Sequence, residues 1–379
     1  MKYFSLFSGI GGFELGIEKG VNVSYKSEYK EKNTRCGCSM DTGRNGNKTI
    51  SDIGWEQQQY FEKNNSKIIE NKRKEFNSWK CVGFSEIDKY AIQIYKKHFP
   101  EHKNYGDATK INTRELPDFD FLVAGFPCQA FSYAGGRKGF DDARGTLFFE
   151  IARILRDKRP RYFLLENVKG LLSHDEGKTI QKMFGVLTDL RYQFEWQVLN
   201  SKDFGVPQSR ERIFIVGYSG NECRPKIFPI QNSETIYTKK NHGKRKERAR
   251  VQSKIAPTID ARYGSLRNAG EPYIIHNIYG GFKEEKPREF KEYSPTIRTP
   301  QGGGHIPNVV EGMQIRKLTP VECERLQGFP DNWTGGGISD TQRYKCIGNA
   351  VTVNVVEAII RKLIEGAVQM RSKCGAKTV

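Results

Sequence analysis

The chain of 379 residues has no apolar run approaching the ~20 residues that a membrane-spanning helix requires. Its amino terminus, Met1-Lys2-Tyr3-Phe4, leads directly into a strand-like segment and lacks the apolar core of a signal peptide. The expectation is a soluble, cytoplasmic protein with no membrane partner. Cysteine is scattered, at 36, 38, 81, 128, 223, 323, 346 and 374, and only Cys36 and Cys38 lie close together. That is neither a disulfide framework nor the paired C-x-x-C spacing of a zinc site, so reduced thiols and no resident metal are expected. Cys36-Gly37-Cys38 would need ligands from elsewhere to hold a metal, and a solvated loop explains it better. Acidic residues are in short supply, with 44 Asp and Glu against 62 Lys and Arg for a net charge of +18. Such an excess attracts polyanions, nucleic acid first among them. A proteome-wide bias toward lysine would give the same total.

What is present is organised around Leu122-Val123-Ala124-Gly125-Phe126-Pro127-Cys128-Gln129-Ala130-Phe131-Ser132. Phe119 to Ala124 is an apolar run of strand length, and Gly125 and Pro127 end it. Cys128 therefore falls just past the carboxyl end of a buried strand, where open α/β sheets hold their ligands. Taken alone, a cysteine there is more often a small buried hydrophobe than a nucleophile.

Upstream, Tyr3 to Phe7 reads as a strand, Ser8-Gly9-Ile10-Gly11-Gly12 as a glycine turn, and Phe13 to Lys19 as a helix. The glycines allow close backbone approach to a ligand beside a helix amino terminus. The spacing is not the dinucleotide G-x-G-x-x-G, and a plain tight turn would look the same. Residues 26–80, rich in Lys, Asn, Glu and Gln, read as a surface insertion. Cys81 to Ser85 is a strand ending in Glu86-Ile87-Asp88, followed by a helix with Tyr90, Ala91, Ile94 and Tyr95 on one face. Tyr105-Gly106-Asp107-Ala108-Thr109 reads as another strand-end turn. After the central strand come a helix from Thr146 to Asp157, the strand Tyr162 to Leu165 ending in Glu166-Asn167-Val168, and a helix from Thr179 to Leu190. Strands near Phe194 to Leu199 and Ile213 to Val216 complete the series. Strands alternating with helices predict an α/β fold with a doubly wound, mostly parallel sheet.

Beyond Gly217 the periodicity fades. A dense basic run spans Lys239 to Arg250, and Ala256-Pro257-Thr258-Ile259 is weakly repeated as Ser294-Pro295-Thr296-Ile297. These features predict a smaller β-rich domain of hairpins and loops. The expected boundaries are 1–230 for a catalytic and cofactor-binding domain, 231–337 for the small domain, and 338–379 for a segment returning to the first.

Glu86, Asp107 and Glu166 fall at the ends of predicted strands, and Cys128 at the end of a fourth. In a parallel sheet these side chains converge on one cleft, although each alone is also explained as a cap or a solvated charge. Gln208-Ser209-Arg210-Glu211-Arg212 precedes the last core strand, and its two arginines project to one side of an extended segment. They suit a phosphate, a thiolate, or merely a salt-bridged strand entrance.

Taken in order, Phe7-Ser8-Gly9-Ile10-Gly11-Gly12, Gly125-Phe126-Pro127-Cys128-Gln129, Glu166-Asn167-Val168, Gln208-Ser209-Arg210-Glu211-Arg212, Arg316-Lys317-Leu318-Thr319-Pro320, Glu324-Arg325-Leu326-Gln327-Gly328-Phe329-Pro330 and Gly348-Asn349-Ala350-Val351 resemble the DNA cytosine-5 methyltransferases of bacterial restriction–modification systems. The resemblance spans nearly the whole chain apart from the insertion and the variable centre of the small domain. It implies the S-adenosylmethionine-dependent methyltransferase type of sheet with a β-rich target-recognition domain, and base flipping of a cytosine in duplex DNA. It implies Cys128 as the nucleophile toward carbon 6 and Glu166 as the group holding ring nitrogen 3 and the exocyclic amine. Arg212 would contact the target base and Arg210 the flanking backbone. S-adenosyl-L-methionine, leaving as S-adenosyl-L-homocysteine, would lie against Phe7, Gly9, Ile10, Gly12, Glu86, Ile87, Asp107, Ala108, Pro127, Asn349 and Val351. Residues Gln129 to Arg144 would form a loop closing over the flipped base, with Gln129, Ser132, Arg137, Lys138 and Arg144 toward DNA. Arg262, Arg267, Arg298 and Gln301 are base-reading candidates by side-chain type.

The partners implied are duplex DNA and a cognate restriction endonuclease acting on the same site, with the protein itself a monomer. The related tRNA-acting branch carries Pro-Pro-Cys where this chain has Phe126-Pro127-Cys128. A non-catalytic DNA-binding regulator would have lost the thiol or Glu166, and both are present. A thiol redox protein would need a resolving cysteine, and none is near Cys128 in sequence. The insertion departs from the family's compact members and has no role derivable from its residues.

Overall fold

A computed structural model describes residues 1–35, 79–127, 147–220, 225–230, 273–276, 288–290, 293–297, 308–311 and 314–374. Six strands form the main sheet: β1 (Lys2–Leu6), β2 (Lys80–Ser85), β3 (Phe121–Gly125), β4 (Tyr162–Val168), β5 (Tyr192–Asn200) and β6 (Glu211–Ser219), in the order β2-β1-β3-β4-β6-β5. The strands β2, β1, β3 and β4 run parallel, whereas β6 is antiparallel to both of its neighbours, β4 and β5. The helix–strand alternation predicted the parallel part. It did not predict the reversal at β6, whose physical cause is the connection. Ser201 to Arg210 holds one short 3-10 turn (Ser201–Phe204) and no helix, and a parallel crossover needs a dozen or more residues.

The buried strands show the period of two expected of a sheet covered on both faces. Leu122 and Ala124 of β3 join Phe4, Leu6, Phe163, Leu165, Ile213 and Ile215 beneath α3 (Leu147–Lys158) and α4 (Lys178–Asp189). Phe121 and Val123 join Tyr3, Leu164, Phe214 and Val216 on the opposite face, beneath α1 (Gly12–Arg35) and α7 (Val353–Cys374). α1 runs past the helix expected to end at Lys19 and into the stretch read as an insertion. Gly12, Gly16 and Gly20 form a stripe along it. A Cβ added at these positions would come 2.8 Å from Val351, 2.6 Å from Val356 and 2.9 Å from Ile360. Only hydrogen fits there, and the two helices lie side by side in the same direction.

A third cluster packs Leu318, Cys323, Leu326, Phe329, Trp333, Cys346 and Ile347 against Ile10, Phe84, Ile94, Tyr95 and Phe99. It holds α5 (Pro320–Leu326) and α6 (Asp340–Asn349) against α2 (Lys89–His98). A capping box between Thr319 and Glu322, with Pro320 at the first turn, starts α5. This packing also takes in Ile297 and Leu318, both inside the 231–337 stretch expected to form the small domain. Strands β7 (Tyr273–His276), β8 (Arg288–Phe290), β9 (Asn308–Glu311) and β10 (Gln314–Lys317) form an antiparallel sheet in the order β10-β9-β7-β8. Among the described residues, no helix is long and apolar enough to cross a membrane, and no cluster of His, Cys, Asp and Glu is placed to hold a metal.

Candidate active site

The site lies at the carboxyl edge of the parallel strands. β1 gives way to Phe7 and Gly9, both with φ of 55°, and to Gly11 at 88°. A bulky residue such as Phe7 enters the left-handed region only where its surroundings enforce it, a common feature of binding loops. Glu86, at the end of β2, holds the following turn. Its Oε2 accepts the Gly9 N–H at 2.9 Å, and its Oε1 accepts Ile87 N–H and Asp88 N–H at 2.8 and 2.9 Å. One carboxylate thereby shapes two loops. Asp88 caps α2 through Tyr90 and Ala91 N–H, and its other oxygen accepts Lys345 Nζ of α6 at 2.7 Å.

Asp107 does not follow a full strand. The preceding segment makes only an isolated parallel bridge, Asn104 to Phe84, and Gly106 at φ 72° breaks the extension. Asp107 instead caps a short 3-10 turn (Ala108–Lys110). It accepts Thr109 N–H at 3.0 Å and Thr109 Oγ1–H at 2.8 Å, bonds that hold its carboxyl below the usual range. Asn104 ties the two carboxylate loops together, donating to Glu86 O at 3.1 Å and accepting Gly106 N–H at 2.9 Å. Ile87 is 73% exposed between them, and nothing lies within 4 Å of where a Cβ would sit on Gly9 or Gly106. An apolar platform, two carboxylates and two bare backbone positions suit a nucleoside with a cationic substituent. Ile10 and Ala108 are core residues, so their backbone is what they can offer a ligand. Gly12 and Val351 pack on each other, Asn349 is exposed, and Pro127 stands exposed at the last described position of its loop.

Glu166 lies within β4 with its side chain 12% exposed, its Oε1 3.2 Å from Nε of Arg212, which is 16% exposed. Gly125 on the adjacent strand makes room for it, since a Cβ there would come 3.4 Å from the Glu166 carboxylate. Burial pushes the Glu166 carboxyl up from the ordinary range, while Arg212 and then Arg210 pull it back. Asn167 donates to Phe126 O at 2.9 Å and so fixes the path of the chain toward Cys128. Cys128 itself lies outside the described residues. So do Gln129, Ser132, Arg137, Lys138, Arg144, Arg262, Arg267, Arg298 and Gln301.

Arg210, read from the sequence as a contact to the DNA backbone, is instead 3% exposed. Its guanidinium donates to Ile297 O at 3.2 Å, Gly348 O at 3.1 Å and Ala350 O at 3.0 Å. Three further residues were given no role from the sequence. Asn104 and Asn167 flank residues that were recognised, and that adjacency was a usable signal. Trp333, whose Nε1–H donates to Ile10 O at 2.9 Å while its ring stacks on His98 at 3.6 Å, gave none.

A model of the C-5 cytosine-specific DNA methylase family matches residues 69–365. Type II methyltransferase M1.ScrFI of Lactococcus lactis subsp. cremoris is 40% identical over 302 residues, covering 76% of this chain and 72% of that protein. Type II methyltransferase M.SsoII of Shigella sonnei is 41% identical over 303 residues, covering 76% and 75%. The crystal structure of S. pombe Dnmt2 methyltransferase superposes with a TM-score of 0.54 at 17% identity, over 97% of this chain and 99% of that one, a likeness of fold. With the edge of the sheet arranged as described, the chain belongs to the C-5 cytosine-specific DNA methylases.

Proposed function

We propose that this cytosine-5 DNA methyltransferase acts on a short specific duplex site through a covalent adduct between Cys128 and a cytosine flipped out of the helix. The observation that carries the proposal is the Glu166–Arg212 pair, beside the strand end that leads to Cys128, with β3 between it and the β1 strand that runs into the Gly9–Glu86 loop. A stacked cytosine exposes neither face of carbon 6, so the base must leave the duplex, at a cost of a few kcal/mol.

Cys128 adds to carbon 6. Glu166 holds ring nitrogen 3 and the exocyclic amine, and its raised pKa lets it share a proton with the ring as electrons move onto it. Arg212 orients Glu166 and offers its remaining donors to the base. Addition breaks aromaticity and makes carbon 5 an enamine-like nucleophile. When bound, S-adenosyl-L-methionine supplies the electrophilic methyl group, and Glu86, Asp107, Ile87, Phe7, Gly9 and Gly12 would hold it. Loss of the carbon-5 proton and departure of the Cys128 sulfur then restore the ring.

Residues Gln129 to Arg144 would close over the flipped base, with Ser132, Arg137, Lys138 and Arg144 toward phosphates. Arg262, Arg267, Arg298 and Gln301 remain the base-reading candidates, and the basic run Lys239 to Arg250 would hold the backbone. Type II relatives support a restriction endonuclease directed at the same site, and we propose action as a monomer in the cytoplasm. The match to the cytosine-specific DNA methylase family, with relatives named as type II methyltransferases at about 40% identity, favours DNA over the RNA-acting branch. Incubating the protein with duplex DNA and methyl-labelled S-adenosylmethionine should place label on cytosine carbon 5. Label on the exocyclic nitrogen would overturn the mechanism.

A further inference from the structure

Arg210 and Arg212 are separated by one residue, yet only Arg212 reaches the cleft. Burying a guanidinium without a carboxylate against it is costly, and an apolar side chain would fill the same space more cheaply if filling space were the only task. Among the described residues no carboxylate hydrogen-bonds to Arg210, and the charge of Glu166 only partly opposes the cost of its burial. Its guanidinium instead gathers three main-chain carbonyls, those of Ile297, Gly348 and Ala350, and its buried Nε has no hydrogen-bond partner among the described residues. Burial pushes its pKa down to about 9, which still leaves it a cation at neutral pH.

Those carbonyls come from two distant parts of the chain. The Ser294 to Ile297 segment is laced onto the residues entering β6. Ser294 N–H donates to Pro207 O and Ser209 N–H to Ser294 O, both at 2.8 Å. Thr296 Oγ1–H donates to Ser209 O at 2.9 Å, and Ile297 N–H to Gln208 Oε1 at 3.1 Å. From Ile297 the chain runs directly into Arg298, a base-reading candidate. The second part, Gly348 to Ala350, flanks Asn349 at the end of α6. From Arg210 the strand continues through Glu211 to Arg212, whose guanidinium meets Glu166.

We propose that Arg210 is a positioning residue that couples the target-recognition segment to the catalytic pair, so that the seating of Ser294–Ile297 sets the position of Arg212 and Glu166. A duplex with the wrong flanking base would then be bound but methylated slowly, because a displaced Ile297 carbonyl pulls on Arg210 and the strand entrance moves with it. The inference rests on the reading above that Glu166 and Arg212 hold the cytosine.

The test uses the full-length protein and a duplex carrying the site mapped by bisulfite sequencing of DNA from expressing cells. A second duplex has one flanking base pair changed. Arg210→Lys should lower the single-turnover rate on the correct site by about ten- to a hundred-fold, the scale of a small misplacement of reacting groups. It should also reduce discrimination between the two duplexes, with S-adenosylmethionine affinity nearly unchanged. Thr296→Val loosens the same segment without touching the cleft and should lower discrimination alone. Rates are taken per adduct-competent site, so that a smaller folded fraction does not count. Unchanged rate and discrimination in Arg210→Lys, with only the melting temperature lowered, would make Arg210 a plain strut and overturn the proposal. If Arg210→Lys does not fold, unchanged discrimination in Thr296→Val overturns it. Failure of the wild-type protein to methylate carbon 5 would instead refute the reading of the site.

Discussion

In the β2-β1-β3-β4 half of the sheet every strand runs the same way, and Phe7, Glu86 and Pro127 all leave from carboxyl ends. In the other half β6 runs back against β4, so the residues entering it arrive at the edge the parallel strands leave from, with Arg212 level with Val168 and Glu166 level with Phe214. Had β6 been parallel, Arg212 would sit at the far edge, a sheet's width from Glu166. The parallel half thus supplies the loops of the proposed cofactor site, and the antiparallel half supplies a strand that delivers charge to the same edge.

Variants can separate the two contributions. The largest effect is expected at Glu166, where Glu166→Gln should lower kcat by about 10²–10⁴ with cofactor affinity nearly unchanged, read by steady-state kinetics beside direct cofactor binding. Glu86→Gln, in the parallel half, should do the reverse. Cofactor affinity should fall about ten- to a hundred-fold, the cost of weakening a charged hydrogen-bond acceptor, while kcat at saturation is largely kept. A matching drop in kcat for both would erase the distinction.

A smaller effect is expected from Glu14, fully buried in the first turn of α1 behind the glycine loop. It accepts Tyr95 O–H at 3.0 Å, and Tyr95 in turn pairs with His102 Nδ1 at 2.9 Å. Burial, the dominant cause, raises the Glu14 carboxyl from 4.5 to about 7, with Glu18 adding to the rise and hydrogen bonds opposing it. Between those values the folded protein holds a proton that the unfolded chain releases. The associated stability is fully present below pH 4.5 and is lost as pH rises to 7, about 3 kcal/mol in all. Glu14→Gln should therefore melt higher than the wild type at pH 8 and should lose this component of the pH dependence. Equal melting temperatures at pH 8 would show the carboxyl to be unperturbed.

The smallest effect concerns the helix layer over the sheet. Gly16→Ala should cost about 1–3 kcal/mol by overpacking against Val356, partly offset by about 1 kcal/mol of improved helix propensity. A lower urea midpoint with unchanged kcat is the expected reading.

Much of this was legible in the residues. Apolar runs closed by Gly125, Pro127 or a carboxylate gave the strands and their edge, because strand ends need turn chemistry that only a few residues supply. The direction of β6 was not legible, since side-chain alternation has the same period in either direction and only the short connection from Ser201 to Arg210 decides it. The Gly12, Gly16 and Gly20 stripe went unread because the helix was expected to stop at Lys19. Arg210 looked like Arg212 because burial depends on carbonyls contributed by residues as distant as Gly348 and Ala350. Asp107 was read as the end of a strand and is instead the cap of a short turn.

The central claim is that sulfur meets a flipped cytosine, and a mechanism-based trap tests it most directly. With a duplex carrying 5-fluorocytosine at the target and S-adenosylmethionine supplied, the carbon-5 substituent cannot leave, and the protein should remain bonded to DNA through Cys128 after denaturation. Mass spectrometry of the digested adduct should place the modified peptide at Cys128. No adduct on the right target, or one on a different residue, would contradict the account.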